Sequence, residues 1–284
     1  MEPLTSEEIR HAVRQALAED IGPGDVTTLA TVPENALARA AMLARESLTL
    51  AGLAFAKEAF RQLSPGVQIE RSLRDGEQAS VGTRLLLASG PARAILTGER
   101  VALNFVQRLS GVATMTARFV EAIRGTRARI LDTRKTTPGW RRFEKYAVAC
   151  GGGQNHRIGL FDLVLIKDNH LAALSHEPPN AIVAAVQRAR TRYPRLQIEV
   201  EADTLEQVGQ AADAGADIIL LDNMSPALLR KAVELVAGRA KTEASGGITI
   251  ETVRAVAESG VDYISVGALT HSARAVDIAL DFES

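Results

Sequence analysis

Three short stretches of this sequence collect four cations and a histidine: Arg134 and Lys135 in "ILDTRKTTPG", His156 and Arg157 in "GGGQNHRIGL", and Lys167 in "DLVLIKD". An arginine guanidinium grips a carboxylate through two parallel N–H bonds, and a lysine ammonium is a compact charge suited to phosphate. Brought around one cavity, these residues describe a site for a polyanionic ligand. Arg127, Arg129, Arg141 and Arg142 lie close by in the chain and read instead as a solvated surface. Two acids stand at comparable positions further on, Glu201 in "QIEVEAD" and Asp222 in "DIILLDN". A pair of carboxylates facing one cavity can hold Mg²⁺, steady positive charge developing on a sugar ring, or exchange protons, and capping or salt bridging at a loop is the structural alternative.

The bulk of the chain sharpens the contrast. It has 284 residues, 46% hydrophobic and 24% charged, with a formal net charge of −1. Binding along a nucleic-acid backbone needs a broad basic face, so a balance this close to zero points to a local anion site and not to nucleic acid. The single cysteine, Cys150, excludes an internal disulfide and reads as a small buried residue in a reducing compartment. "MEPLTSEEIRHAVRQALAED" has no basic head followed by an apolar core, and no apolar run approaches the ~20 residues that span a bilayer, so a cytoplasmic protein without a membrane anchor is expected. His170 and His176 lack metal-ligand spacing, and without cysteine partners a zinc site is not expected.

The elements that must position these residues show a rhythm. "ARILDTR", "DLVLIKD", "QIEVEAD", "DIILLDN", "KTEASGG" and "YISVGAL" are short apolar runs, and between them lie amphipathic stretches such as "LEQVGQAADAG" and "SPALLRKAVELVAG" that stop on glycine. Such βα alternation predicts a parallel sheet. The distinctive side chains all fall at the C-terminal ends of the runs, which is the signature of a βα barrel; an open sheet concentrates them at one switch point. Only six runs are clear, so an irregular, incomplete α/β barrel is expected. Its last tips, "ASGGIT" with Ser245, Gly246 and Gly247, and "SVGALT" with Gly267, are small and precede helices, as at a phosphate site. The first hundred residues mix amphipathic helices ("SEEIRHAVRQALAED", with a serine cap, and "AGLAFAKEAFRQL") with strands ("ARAAMLARES", "VQIERSL", "TRLLLASG"), predicting a smaller α+β sandwich domain. A long helical pattern from Thr97 to Arg124, interrupted near Ser110 and Gly111, joins the two.

With these residues in view the chain resembles the quinolinate phosphoribosyltransferase family. The likeness rests on "EDIGPGDVTT", "LTGERVALNFVQRLSGVAT", "LDTRKTTPG", "EKYAVACGGGQNHRIGLFDLVLIKDNH", "IEVEAD", "ILLDN", "EASGGIT" and "GVDYISVGALTHS", and so covers nearly the whole length. It implies an N-terminal α/β sandwich over 1–110, joined by 271–284, and an α/β barrel over 111–270. It implies a reaction in NAD biosynthesis in which quinolinate and phosphoribosyl pyrophosphate give nicotinate mononucleotide, pyrophosphate and CO₂ with Mg²⁺. By motif position, Arg134, His156, Arg157 and Lys167 match contacts to the quinolinate carboxylates, and Lys135 and Lys167 match groups that reach pyrophosphate. Glu201 and Asp222 match the pair at the ribose and Mg²⁺. Ser245, Gly246, Gly247 and Gly267 match the cradle of the 5′-phosphate, and Arg100 matches a residue that reaches the neighbouring site of a homodimer. Two alternatives stand beside this: a phosphoribosyltransferase of the molybdenum-transport type with another acceptor, and a non-catalytic relative that binds a phosphorylated metabolite. The complete "DTRK" and "NHR" favour quinolinate, and the presence of both Glu201 and Asp222 argues against decay.

Overall fold

The structure is a computed structural model and describes residues 3–283. They form two compact units, one made of the residues through Ala117 with Thr137–Gly152 and those from Ser272 onward, the other of Arg118–Thr136 and Gly153–His271. Among the described residues no helix is long and apolar enough to cross a membrane.

In the first unit, alternating and apolar runs make strands β1 (Leu37–Ala44), β2 (Leu48–Thr49), β3 (Gln68–Arg71), β4 (Gln78–Ala79) and β5 (Arg84–Pro91). β1 lies between β5 and the strand Ile278–Glu283, antiparallel to both, and β3 completes the sheet beside β5. β2 and β4 form a separate ribbon. The helix Leu53–Leu63 buries Leu53, Phe55, Ala56, Ala59 and Phe60. The helix Ser6–Ile21 starts one residue earlier than its sequence suggests. The cap is Thr5, not a serine: its hydroxyl accepts from the Glu8 N–H at 3.1 Å and its own N–H donates to the Glu8 carboxylate at 2.8 Å. Arg142, read as surface, donates to that same carboxylate at 2.9 Å, and this guanidinium holds the Glu8 carboxyl down at about 2. Trp140 stacks on Phe105 and packs edge-on against Phe143, making the helix Arg141–Cys150 part of this unit's aromatic core.

The long helix corrects one expectation. Ala92–Ala122 runs unbroken through Ser110 and Gly111. These residues mark close packing: the Ser110 hydroxyl accepts from the Ala51 N–H at 2.9 Å and donates to the Ala51 carbonyl at 3.1 Å, and a Cβ at Gly111 would stand 2.0 Å from the Arg274 carbonyl oxygen. Glycine is there for space, because backbone cannot swing aside as a flexible side chain does.

The second unit holds the βα rhythm. Strands β6 (Arg129–Leu131), β7 (Val164–Ile166), β8 (Ile198–Ala202), β9 (Ile218–Asp222), β10 (Lys241–Ser245) and β11 (Tyr263–Ser265) form one parallel sheet in the order β6-β11-β10-β9-β8-β7. The six strands are the six apolar runs of the sequence, and the result is an incomplete α/β barrel. Three of its helices begin on side-chain caps, Asn180 before Ala181–Arg192, Thr204 before Leu205–Asp213 and Ser225 before Pro226–Val236. Because the strands are parallel, all their C-terminal ends meet at one edge of the sheet.

Gly111→Ala tests the packing reading of the long helix. Alanine gains ~1 kcal/mol in helix propensity, but overpacking costs about 1–3 kcal/mol and more where backbone is the obstacle. Urea unfolding is expected to show a less stable protein, and a more stable one would refute the account.

Candidate active site

A cavity of about 760 Å³ opens at the C-terminal edge of the sheet in the second unit. Side chains alternate across a strand, so residues two apart line the same interior face. The strand ends at the mouth carry Lys167, Glu201, Asp222, Ser245 and Gly267, and two residues back along the same runs stand Leu165, Glu199, Leu220, Glu243 and Ser265, with neighbouring strands staggered so that Glu201 pairs with Leu220. Arg134, Lys135, His156 and Arg157 also line the cavity, as do Gly246 and Gly247. Eleven of the twelve residues singled out from the sequence therefore meet at one cavity. The twelfth, Arg100, is exposed on the helix Ala92–Ala122 and does not line it.

The cation-bearing loops are pinned by their backbones. The Asp132 carboxylate, fully buried, accepts from the His156 N–H at 2.9 Å and from Asn155 Nδ2 at 2.5 Å. Gln154 bridges to Leu131 and so lays the chain from Gly153 onward alongside β6. The Lys135 carbonyl accepts from the Thr270 hydroxyl at 2.7 Å, and the Lys135 N–H donates to the Thr133 hydroxyl at 3.0 Å. These bonds leave the long side chains to point where a ligand would lie.

Charge is unevenly balanced within the cavity. Lys167 Nζ sits 2.6 Å from the Glu201 carboxylate. Burial, then the Arg134 charge, lowers the pKa of Arg157, which stays charged at neutral pH. Burial, then the charges of Glu201 and Asp203, pushes the Asp222 carboxyl up, with partial relief from the Asn223 amide 2.6 Å away. The ligand atoms that Glu201 and Asp222 would offer are carboxylate oxygens, which suits Mg²⁺ and not zinc. His170 is no ligand either, since its Nδ1 accepts from the Lys167 N–H at 2.9 Å.

The glycine tips are built for close approach. Gly246 has φ +96° and Gly247 φ +59°, and a Cβ on Gly246 would meet Asn223 Oδ1 at 2.1 Å. A Cβ on Gly267 would press on Lys135 Cδ at 3.0 Å. Bare backbone here can turn its N–H groups to an anion.

Sequence reasoning passed over Glu199 and Glu243. They lie in "QIEVEAD" and "KTEASGG" as charged residues of strands and look like solvent-facing members of an alternating pattern. Both are buried, at 0% and 1% exposure, beneath the mouth layer. The one signal was that Glu199 and Glu201 share a strand face, so an inward Glu201 requires an inward Glu199.

The class of protein that this fold and cavity define is a βα barrel taking polyanionic ligands at the carboxyl edge of its sheet. More narrowly, the chain belongs to the quinolinate phosphoribosyl transferase family, whose N-terminal domain model matches residues 25–110 and whose C-terminal domain model matches residues 112–281. It is 44% identical over 275 residues to the probable nicotinate-nucleotide pyrophosphorylase [carboxylating] of Bacillus subtilis, covering 96% of this chain and 93% of that one. Its likeness to the corresponding Mycobacterium leprae protein is 43% over 278 residues, covering 96% of each. The solved structure of the nicotinate-nucleotide pyrophosphorylase from Francisella tularensis superposes with a TM-score of 0.93 at 40% identity, covering 99% of this chain and 98% of that one. The one from Ehrlichia chaffeensis gives 0.91 at 39%, covering 100% of both.

Phosphate binding tests the glycine cradle. Free phosphate at about 100 times its Kd is expected to stabilise the protein by ~2.7 kcal/mol, seen as a rise in melting temperature by scanning calorimetry. Gly246→Ala is expected to lose most of that rise, and an unchanged rise would refute the cradle.

Proposed function

We propose that this chain is an enzyme that transfers the phosphoribosyl group of phosphoribosyl pyrophosphate to quinolinate, with decarboxylation, in the synthesis of NAD. The relatives named above carry this activity in their names. The observation that carries the reading for this chain is the single cavity in which Arg134, Lys135, Arg157 and Lys167 oppose Glu201 and Asp222. Quinolinate brings two carboxylates and the cosubstrate a phosphate and a pyrophosphate, so this cation excess is what the pair of substrates requires. The domain division follows the same family pattern, a sandwich over 1–110 with 271–284 and a barrel over 111–270, supported by the junction of the matched models between residues 110 and 112.

Arg134 and Arg157 grip the acceptor carboxylates, with Lys167 beside them and His156 walling the same end. Ser245, Gly246, Gly247 and Gly267 cradle the 5′-phosphate. Glu201 and Asp222 orient the ribose hydroxyls and face the positive charge that grows on the sugar as its C1–oxygen bond breaks. Lys135 and Lys167 receive the departing pyrophosphate, which keeps the electron pair of that bond, and the pyridine nitrogen of quinolinate attacks C1. Quaternised, the ring stabilises the electron pair left on its carbon when the adjacent carboxylate leaves as CO₂, and a proton then takes that place. No protein nucleophile is needed; orientation and fixed charge supply the rate. Glu201 and Asp222 would also hold Mg²⁺. Their oxygen donors fit it, and the Asp222 carboxyl, pushed up by burial and then by the charges of Glu201 and Asp203, sits in negative charge that a divalent cation would relieve. When bound, Mg²⁺ supplies charge neutralisation for the pyrophosphate. Arg100, exposed outside the cavity of its own chain, fits a contact to the site of a second copy in a homodimer.

Incubation with phosphoribosyl pyrophosphate, Mg²⁺ and a panel of pyridine carboxylates should release CO₂ and pyrophosphate together only with quinolinate. Turnover of nicotinate in place of quinolinate would overturn the reading. Arg134→Ala and Lys135→Ala should each lower kcat/KM by roughly 30- to 1000-fold, equivalent to about 2–4 kcal/mol of transition-state stabilisation. Values within about threefold of the parent would remove these residues from the roles given. For Arg100, mixing and reassembling inactive Arg100→Ala and Asp222→Asn chains should regain activity through hybrid dimers, whereas no regain would leave the site complete within one chain.

A further inference from the structure

Beneath the cavity, two carboxyl groups meet one imidazole. His156 Nε2 lies 3.1 Å from Glu199 and 3.5 Å from Glu243. Both glutamates are buried, and no donor among the described residues completes a hydrogen bond to any of their four oxygens. The Ser265 hydroxyl faces Glu243 without reaching hydrogen-bond geometry. His156 Nδ1 accepts from the Arg157 N–H at 2.7 Å, so the proton of the neutral ring is on Nε2. One N–H can serve one of the two carboxyl groups. Glu199 lies nearer to that N–H, and Glu243 stands further off, buried beside the Glu199 charge, where a bare carboxylate is costly and a neutral acid is not.

We propose that Glu243 is a positioning residue kept as a neutral carboxylic acid beneath the cavity, and that its proton, by sparing the floor a second buried negative charge, allows a dianionic acceptor to bind above it. Glu243 acts through His156. With Glu199 it packs against Nε2, while Nδ1 fixes the backbone of Arg157, whose guanidinium lines the cavity. The acceptor chemistry rests on the function proposed above; the protonated floor does not.

The surroundings agree in direction. Glu199 faces Glu243 from β8, Asp132 from beyond β6, and His156 from the 154–157 segment with Arg157 behind it; on the flanking strands its register partners are Leu220 and Tyr263. Burial first, then Glu199, pushes the Glu243 carboxyl up to about 8, while His156 pulls it back. This is a raised acid, so it is neutral below that pH and the floor gains its second charge as pH rises through it. The ligand atoms of His156, Glu199 and Glu243 also lie within 4.8 Å of one another, and a bound cation would be the competing way to balance the charge.

Infrared difference spectroscopy of the parent protein between pH 7 and pH 9 reads the proton directly. The carbonyl stretch of a buried protonated carboxyl should be present at pH 7, fade through pH 8 and be missing from Glu243→Gln. Absence of the band in the parent at pH 7, or its persistence in Glu243→Gln, overturns the proposal, as does a stoichiometric divalent ion that survives dialysis against a chelator. Calorimetric titration with quinolinate reads the consequence: the parent Kd should be flat below pH 7.5 and weaken about tenfold per pH unit above 8, with proton uptake on binding. Glu243→Gln, whose amide cannot ionise, should lose that alkaline weakening, and retention of the parent's pH profile overturns the proposal. If the variant does not fold, the parent's band and proton uptake decide the matter. Failure of quinolinate to bind while the band is present would sink the functional reading and leave the protonated floor standing.

Discussion

Like charges crowded into one cavity repel, and much of the second unit answers that constraint. Arg134, Lys135, Arg157 and Lys167 line a single space, and the repulsion is felt where Arg134 helps lower the pKa of Arg157. Partnering each cation with an acid would quiet the repulsion but occupy the donors that a ligand needs. Among the described residues only Lys167 of these four reaches a carboxylate within ion-pair distance. Compensation comes from behind, from the buried carboxyl groups of Asp132 and Glu199, which face the loops and the floor and leave the mouth open.

The parallel sheet makes this arrangement possible. Six strands ending together put six loop starts at one edge, and the period of two carries the inward face of each strand from a floor residue to a mouth residue in one step. What varies from strand to strand is only which residue stands at the tip. The loops are then fixed through main-chain bonds: Asp132 to the His156 N–H, Thr270 to the Lys135 carbonyl, Thr133 to the Lys135 N–H. Fixing a backbone while leaving a side chain its reach lowers the ordering cost when ligand arrives. It also holds reacting groups close to one geometry, on which a mechanism without a protein nucleophile depends.

The rhythm of apolar runs and glycine stops was legible in the sequence because it is local: a run, a charged tip and an amphipathic stretch are each a few residues long. Those runs became the strands of the second unit, and their tips became the cavity mouth. Properties set by distant partners were not legible. Ser110 and Gly111 look like a helix break until Ala51 and Arg274 are seen against them. Trp140 and Phe143 stand out as core only once Phe105 and Phe55 are seen against them. Glu199 and Glu243 look solvated for the same reason, because alternation tells which residues share a face but not which face closes on the barrel interior.

A net charge of −1 also says how selection among ligands must work. Beyond a Debye length of about 8 Å at physiological salt the cation cluster is screened, so a neutral protein exerts little long-range pull on anions in general. Discrimination is left to contact, where the number of anionic groups placed at once decides affinity. On the roles proposed above, the glycine tips would hold one phosphate with neutral backbone dipoles at Gly246, Gly247 and Gly267, leaving the four cations for the carboxylates of an acceptor and for a leaving group. A ligand with a single anionic group can satisfy only one of these subsites, while the combination of a phosphorylated sugar and a dicarboxylate fills them together. Specificity on this scheme is additive recognition of anions across one rigid edge, and it needs no general excess of positive charge.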